Sequence, residues 1–207
     1  MSTILRQLEN FVIDVLETVI IALSIFAVIY LFAFQPHEVN GQSMDGAGKF
    51  HDGQYILTDK LTYKFREPER GEVIVFKYPL DETYDYIKRV IGLPGEEIML
   101  KENKIYIYNS EHPEGFSIKE SEYLAQTVIT SGRAFLEEGV TIKIPEDNYF
   151  VMGDNRPQSA DSRTWGFVPK KDIIGRSLFR YWPPNEMGII KSPQNIESEN
   201  SLLFFEK

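Results

Sequence analysis

The run Thr18–Phe34, TVIIALSIFAVIYLFAF, carries no charged side chain, and it constrains this chain more than any other feature. Widened back to Phe11, the stretch admits only two acids, Asp14 and Glu17. As a helix at ~1.5 Å per residue the widened stretch is about 36 Å long, enough to cross a hydrocarbon core of about 30 Å. A cleaved secretory signal ends its apolar core in small residues, whereas this one runs into Phe32, Phe34, Gln35 and Pro36. The reading is an uncleaved single-pass anchor in a lipid bilayer, spanning about residues 12–34 within an N-terminal segment 1–35, rather than a signal peptide or a buried core helix. Flanking charge does not orient it, because Arg6 and the amino terminus on one side face Lys49 on the other.

With 207 residues, the chain has room for one cored domain beside this segment. Beyond Pro36 the texture changes to short runs rich in Val, Ile, Tyr and Phe, punctuated by Gly, Pro and Asp, the pattern of many short strands. Strands are expected at Gln54–Thr58, Glu72–Tyr78, Tyr84–Ile91, Lys104–Tyr108, Val140–Ile144, Asn148–Met152 and Ile174–Trp182. Gly92-Leu-Pro-Gly95 marks a turn, and Trp182-Pro-Pro184 ends the last strand. The fold class is mainly β: a compact β-rich domain over 36–191, with a small insertion or cap at about 100–147. Asn109–Glu138 shows no clean period and reads as an insertion with some helix or an irregular flap. A polar tail, 192–207, follows, in which Leu202–Phe205 could dock.

A formal charge of −9 without clustered Lys and Arg argues against a nucleic-acid partner. The absence of cysteine excludes disulfides, a thiolate metal site and a cysteine nucleophile. No metal and no cofactor are expected.

Hydrolysis of a peptide bond needs a nucleophile, a proton acceptor and donors for the oxyanion. The three histidines, His37, His51 and His112, stand in no recognisable triad context, and Gly41-Gln-Ser-Met-Asp45 fails the Gly-x-Ser-x-Gly elbow at its last position. A lysine can replace histidine as base if burial lowers its pKa from about 10.4. In Tyr84-Asp-Tyr-Ile-Lys-Arg-Val-Ile91, strand alternation places Lys88 with Tyr84, Tyr86 and Val90, and Arg89 with Ile87 and Ile91. The same pattern also fits an edge strand whose Lys and Arg are solvated gatekeepers. Gly153-Asp-Asn-Arg-Pro-Gln-Ser-Ala-Asp-Ser-Arg-Thr-Trp-Gly166 is dense in acids, bases and serines, and on its own fits an Asx-rich turn equally well.

Together these segments resemble the bacterial type I signal peptidases, serine proteases with a membrane-anchored Ser/Lys dyad. Val39-Asn-Gly-Gln-Ser-Met44 is similar to the family's nucleophile box, Arg70-Gly-Glu-Val-Ile-Val-Phe76 and Tyr86-Ile-Lys-Arg-Val-Ile-Gly-Leu-Pro-Gly95 to the box holding the base, and Gly153–Gly166 to the last box. The resemblance makes Ser43 the nucleophile, Met44 its packing neighbour and Lys88 the base. Ser159 would hydrogen-bond the lysine amine, and Asp161 with Arg163 would brace the site. It further implies that an extended signal peptide adds along Asp85, Tyr86 and Ile87 and the segment from Val39 to Gly41, with Met44 also among the contacts, and that small residues are preferred at the first and third positions before the cut. The catalytic domain would stand on the extracytoplasmic face of the plasma membrane, as a monomer.

Two positions depart from the family pattern. Asp45-Gly-Ala-Gly-Lys49 follows the Ser-Met pair where relatives usually have proline, which lengthens and loosens the loop. Gly41 stands where some members carry a serine that helps form the oxyanion hole, leaving the hole to the Ser43 backbone N–H, with or without another donor. Two rival readings remain. A self-cleaving repressor-type Ser/Lys protease would need a helix-turn-helix where the membrane segment lies. A catalytically impaired, membrane-tethered peptide-binding module would share the same fold.

Overall fold

The computed structural model describes residues 2–46, 50–125, 127–193 and 196. The loop 47–49, over which the expected departure after Met44 extends, and the tail segment Leu202–Phe205 lie outside the described residues.

The first element, α1, is one unbroken helix over Ser2–Ala33. Its portion Arg6–Ala33 is long and apolar enough to cross a membrane, and its apolar window is not packed against the rest of the chain. Leu23, Phe26, Leu31 and Phe32 are each more than half exposed, which costs little only when lipid replaces water around them. The helix ends one residue earlier than the expected span. Pro36 disfavours helical backbone at Gln35, and Phe34 instead opens strand β1, Phe34–Glu38. A bond from Lys60 N–H to the Ala33 carbonyl, 2.9 Å, ties the last helical residue to the sheet.

The rest is mainly β. After β1 come β2 (Tyr55–Asp59), β3 (Val73–Lys77), β4 (Asp85–Gly92), β5 (Glu97–Lys101), β6 (Lys104–Tyr108), β7 (Phe116–Ser117), β8 (Thr141–Lys143), β9 (Asn148–Met152), β10 (Val168–Pro169), β11 (Ile173–Trp182) and β12 (Gly188–Ile189). Two single-turn helices, α2 (Thr62–Phe65) and α3 (Ser162–Trp165), interrupt them. The larger sheet runs β1-β2-β11-β3-β4-β9-β10 with β12 on β11, and a second sheet runs β7-β6-β5-β8. The seven expected strands appear with ends shifted by no more than one residue.

Sequence reading missed β5, whose Glu, Met and Lys are weak strand formers. Its alternate residues Ile98 and Leu100 are fully buried, and the two-residue turn Glu102-Asn103, with φ of 52° and 63°, folds it directly onto β6. Strands β7, β10 and β12 are too short to leave a pattern.

Both faces of the larger sheet are covered, which is why β3 reads as continuous Val-Ile-Val-Phe rather than an alternation. Val73 and Val75 join Val39, Met44, Phe50, Ile56 and Ile87 on one side, while Ile74 and Phe76 join Tyr86, Val90, Tyr149 and Val151 on the other. The second sheet packs Ile98, Leu100, Ile105 and Ile107 against Ile91, Ile144 and Phe150.

The edge-strand reading of β4 is corrected: β4 lies inside the sheet, between β3 and β9. Its two halves differ, however. Asp85–Arg89 pairs with β3, whereas β9 covers only Arg89–Gly92. Among the described residues no strand partner covers the other side of Asp85–Lys88.

Candidate active site

Ser43 lies in the turn that follows Val39, and its position is set from below by packing. Met44 is fully buried beside Val39, Phe50, Ile56 and Ile87. Met44 therefore props the turn and does not line the groove, contrary to its expected place among the substrate contacts. Val39 is bonded at both its backbone groups to the turn before β2, Val39 N–H to Gln54 O and Gly53 N–H to Val39 O, each 2.8 Å. Gly41 adopts φ of 86° and donates its N–H to Asp52 Oδ1 at 2.6 Å. A side chain at Gly41 would be strained by that backbone, although open space surrounds the position. Gly41→Ser is thus expected to lose about 1 kcal/mol in a urea titration rather than simply add an oxyanion donor.

Lys88 comes to Ser43 from β4. Its Nζ is 2.8 Å from Ser43 Oγ and 2.8 Å from the Ile87 carbonyl, and 5.2 Å from the centre of the Tyr86 ring. Burial pushes the Lys88 amine down from its ordinary value to about 8, although Asp161 and Asp154 pull the other way. An amine at that value is neutral in about a tenth of molecules at pH 7, far more than an ordinary lysine, and once neutral it can accept the Ser43 hydroxyl proton across the same 2.8 Å contact.

The Gly153–Gly166 segment holds this pair from behind. Asn155 grips the Ser43 turn twice, its N–H donating to Ser43 O at 3.1 Å and its Nδ2 to Gln42 O at 3.0 Å. Asp161 caps α3, pairs with Arg163 through two 2.8 Å bonds and accepts the Gly153 N–H at 3.1 Å. These partners hold its carboxyl below the usual range despite burial. Arg89 and Asp154, both buried, form a two-pronged pair at 2.8 and 2.5 Å, with Arg89 also bonded to Gly71 O and resting on the Tyr123 ring.

Ser159 departs from its expected part. Its Oγ is buried without a bond of hydrogen-bonding geometry, and the Lys88 amine is engaged by Ser43 and Ile87 instead. The hydroxyl is near enough to Asp161 to help keep that carboxyl ionised.

Gly153 explains how the two segments approach so closely. A Cβ there would lie 2.2 Å from Ser159 Oγ and 2.3 Å from the Ser43 carbonyl. Gly153→Ala must displace the Ser43 turn and is expected to lower kcat about 100-fold while the circular dichroism of the domain persists.

The open side of Asp85–Lys88 faces the Pro36–Ser43 segment across a groove of about 650 Å³, with Ile56, Val75, Gln158 and Ala160 completing the walls. Val39, Gly41, Asp85, Tyr86 and Ile87 all line it, and the Ser43–Lys88 pair closes one end.

Two contributions were invisible in the sequence. The middle segment, left without a role, supplies Glu120, which pairs with the buried Arg156, and Thr130 Oγ1 and Ser131 O, which accept from Arg156 and Arg163. His37, set aside for lack of a motif, reaches Asp85 across the groove. Both rest on scattered long-range contacts, which leave no local spacing to read.

Residues 12–182 match the family model described as signal peptidase, peptidase S26. A probable signal peptidase I-2 of Synechocystis is 31% identical, over 88% of this chain and 78% of its own. A signal peptidase I of Bacillus licheniformis is 33% identical, over 86% of this chain and 93% of its own. A crystal structure of a signal peptidase I from Enterococcus faecalis is 29% identical, covers 54% of this chain and 97% of its own, and has a TM-score of 0.42. A family match that runs from the apolar helix through the Ser43 turn and β4 to the end of β11 establishes that this chain belongs to the signal peptidase family, peptidase S26.

Proposed function

We propose that this protein is a membrane-anchored serine endopeptidase that removes signal peptides from exported pre-proteins, with Ser43 as nucleophile and Lys88 as general base. The observation that carries the reading is the buried amine, with a pKa of about 8, held 2.8 Å from the Ser43 hydroxyl at the end of an open groove.

In the proposed cycle neutral Lys88 takes the Ser43 proton as Oγ attacks the scissile carbonyl. The Ser43 backbone N–H meets the developing oxyanion, because the Gly41 N–H is already committed to Asp52. Lys88 then passes its proton to the leaving amine, and the neutral amine activates a water that hydrolyses the acyl-enzyme. Asn155 and Gly153 keep Ser43 in register, Asp161 and Arg163 brace the segment behind the amine, and the Ser159 hydroxyl serves that brace through Asp161.

The substrate adds as an extended strand on the uncovered side of Asp85–Ile87, facing Val39–Gly41, with small side chains at the first and third positions before the cut. The helix α1 crosses the plasma membrane once and holds the catalytic domain on the extracytoplasmic face, where signal peptides emerge, which raises the effective substrate concentration without further contacts.

The test is to incubate the purified full-length chain with a secretory pre-protein and map the new amino terminus by mass spectrometry. Cleavage after a small residue at the signal-peptide boundary is expected, and an uncut pre-protein refutes the reading. The pH profile adds a second check. Since only the neutral amine works as base, kcat/KM should be flat above pH of about 8 and fall about tenfold per unit below it. A profile flat down to pH 6 excludes Lys88 as the base.

A further inference from the structure

At the end of the groove away from Ser43, His37 spans from β1 to β4. Its Nε2 is 3.4 Å from Asp85 Oδ2, and its Nδ1 is 2.8 Å from Oγ1 of the buried Thr58. A ring protonated on Nε2 suits both neighbours: Thr58 O–H donates to Nδ1, and Nε2–H faces the carboxylate. The Gln35 side-chain amide lies 3.2 Å from the same nitrogen and presents its oxygen once turned over. The imidazole is largely covered, at 13% exposed, whereas the Asp85 carboxylate remains 31% exposed to the groove.

Burial holds the His37 imidazole below its ordinary value, against the pull of Asp85, so the pair is net negative at neutral pH. Glu38, next to His37 in β1, also lines the groove. Asp85 stands three residues before Lys88 on one strand, about 10 Å at ~3.3 Å per residue. An extended substrate whose scissile carbonyl meets Ser43 therefore fills the groove with three residues and brings the fourth to His37 and Asp85.

We propose that His37 and Asp85 form a clasp across the groove that makes the enzyme discriminate by charge at the fourth residue before the cut, favouring a basic side chain and disfavouring an acidic one. This rests on the signal-peptidase reading and adds to it a specificity determinant upstream of the two small-residue positions. Asp85 supplies the charge. His37 acts through it, as a positioning residue, by fixing the carboxylate over the groove.

The experiment compares three pre-proteins identical except for Ala, Lys or Glu at the fourth position before the cut, each with Ala at the first and third. With the wild-type chain, kcat/KM for Lys over Glu should be about tenfold or more, as expected for a charge meeting a partly exposed carboxylate. Asp85→Asn should bring the ratio to within about twofold, leaving the preference for Ala over larger residues at the first position in place. His37→Gln, which keeps an N–H donor near the position of Nε2, should retain the discrimination, and His37→Phe should lose it. A wild-type ratio near one, or a ratio unchanged in Asp85→Asn, overturns the clasp. Failure of the wild-type chain to cut even the Ala substrate overturns the underlying signal-peptidase reading instead.

Discussion

Lys88→Met should yield a protein that cleaves no pre-protein and yet resists unfolding better than the parent at pH 7. The two effects have one cause. The amine is buried, and burial lowers its pKa from 10.5 to about 8. The folded chain therefore binds this proton more weakly than the unfolded chain does. Stability is depressed at pH values below 8, where the protonated amine is held in a site that disfavours it. It recovers between 8 and 10.5 as the unfolded chain loses its preference for the proton. At pH 7 the penalty is roughly 2 to 4 kcal/mol, and a methionine of similar shape escapes it. Urea titrations of both proteins should show the variant ahead at pH 7 and the gap closing towards pH 10.5. Ser43→Ala should also abolish cleavage, but without the gain in stability, since it removes a hydroxyl and leaves the amine where it was. Retained cleavage by either variant refutes the dyad, and equal stability of Lys88→Met and the parent at pH 7 refutes the depressed amine.

What the sequence could reveal followed the range of the interactions involved. The long apolar helix is legible because no residue from Thr18 to Phe34 is charged and nearly all are apolar, and most strands because Val, Ile and aromatic runs end at Gly, Pro and Asp. Ser43 and Lys88 carry no local mark. They become readable only through resemblance, since what makes them a pair is a contact closed by β3, β4 and the nucleophile turn over a separation of 45 residues. Arg89 shows the limit most clearly. Adjacent to Lys88 in a strand, it invites the inference that one base of the two is buried and the other solvated, but both are buried. Strand alternation sends them to opposite faces, and here each face is covered, one over Tyr86 and Val90 and the other beneath Asp154 and Tyr123. Asn109–Glu138 was opaque for a related reason. Its links to the Gly153–Gly166 segment come from scattered positions, among them Glu120, Thr130, Ser131 and Arg133, and such isolated contacts generate no period.

Asp154→Ala should be among the most destabilising single substitutions in the domain, at about 3 to 5 kcal/mol, because it strands a buried guanidinium. Arg89 would keep its bond to Gly71 O and its place over Tyr123, but neither neutralises the charge. Replacing both partners with apolar side chains, Arg89→Met with Asp154→Leu, removes the charge together with its counter-charge and should recover most of the loss, since a well-packed apolar pair often equals a buried ion pair. A denaturation series on the parent, the single variant and the double variant measures this directly, and a double variant no better than Asp154→Ala would mean that the residue acts by packing and not by charge. The same proteins test the link to catalysis. Asp154 is one of two acids that raise the Lys88 pKa against burial, so the double variant should move the acid limb of the kcat/KM profile below pH of about 8. If stability recovers and the limb does not move, the Arg89–Asp154 pair supports the nucleophile turn without tuning the base.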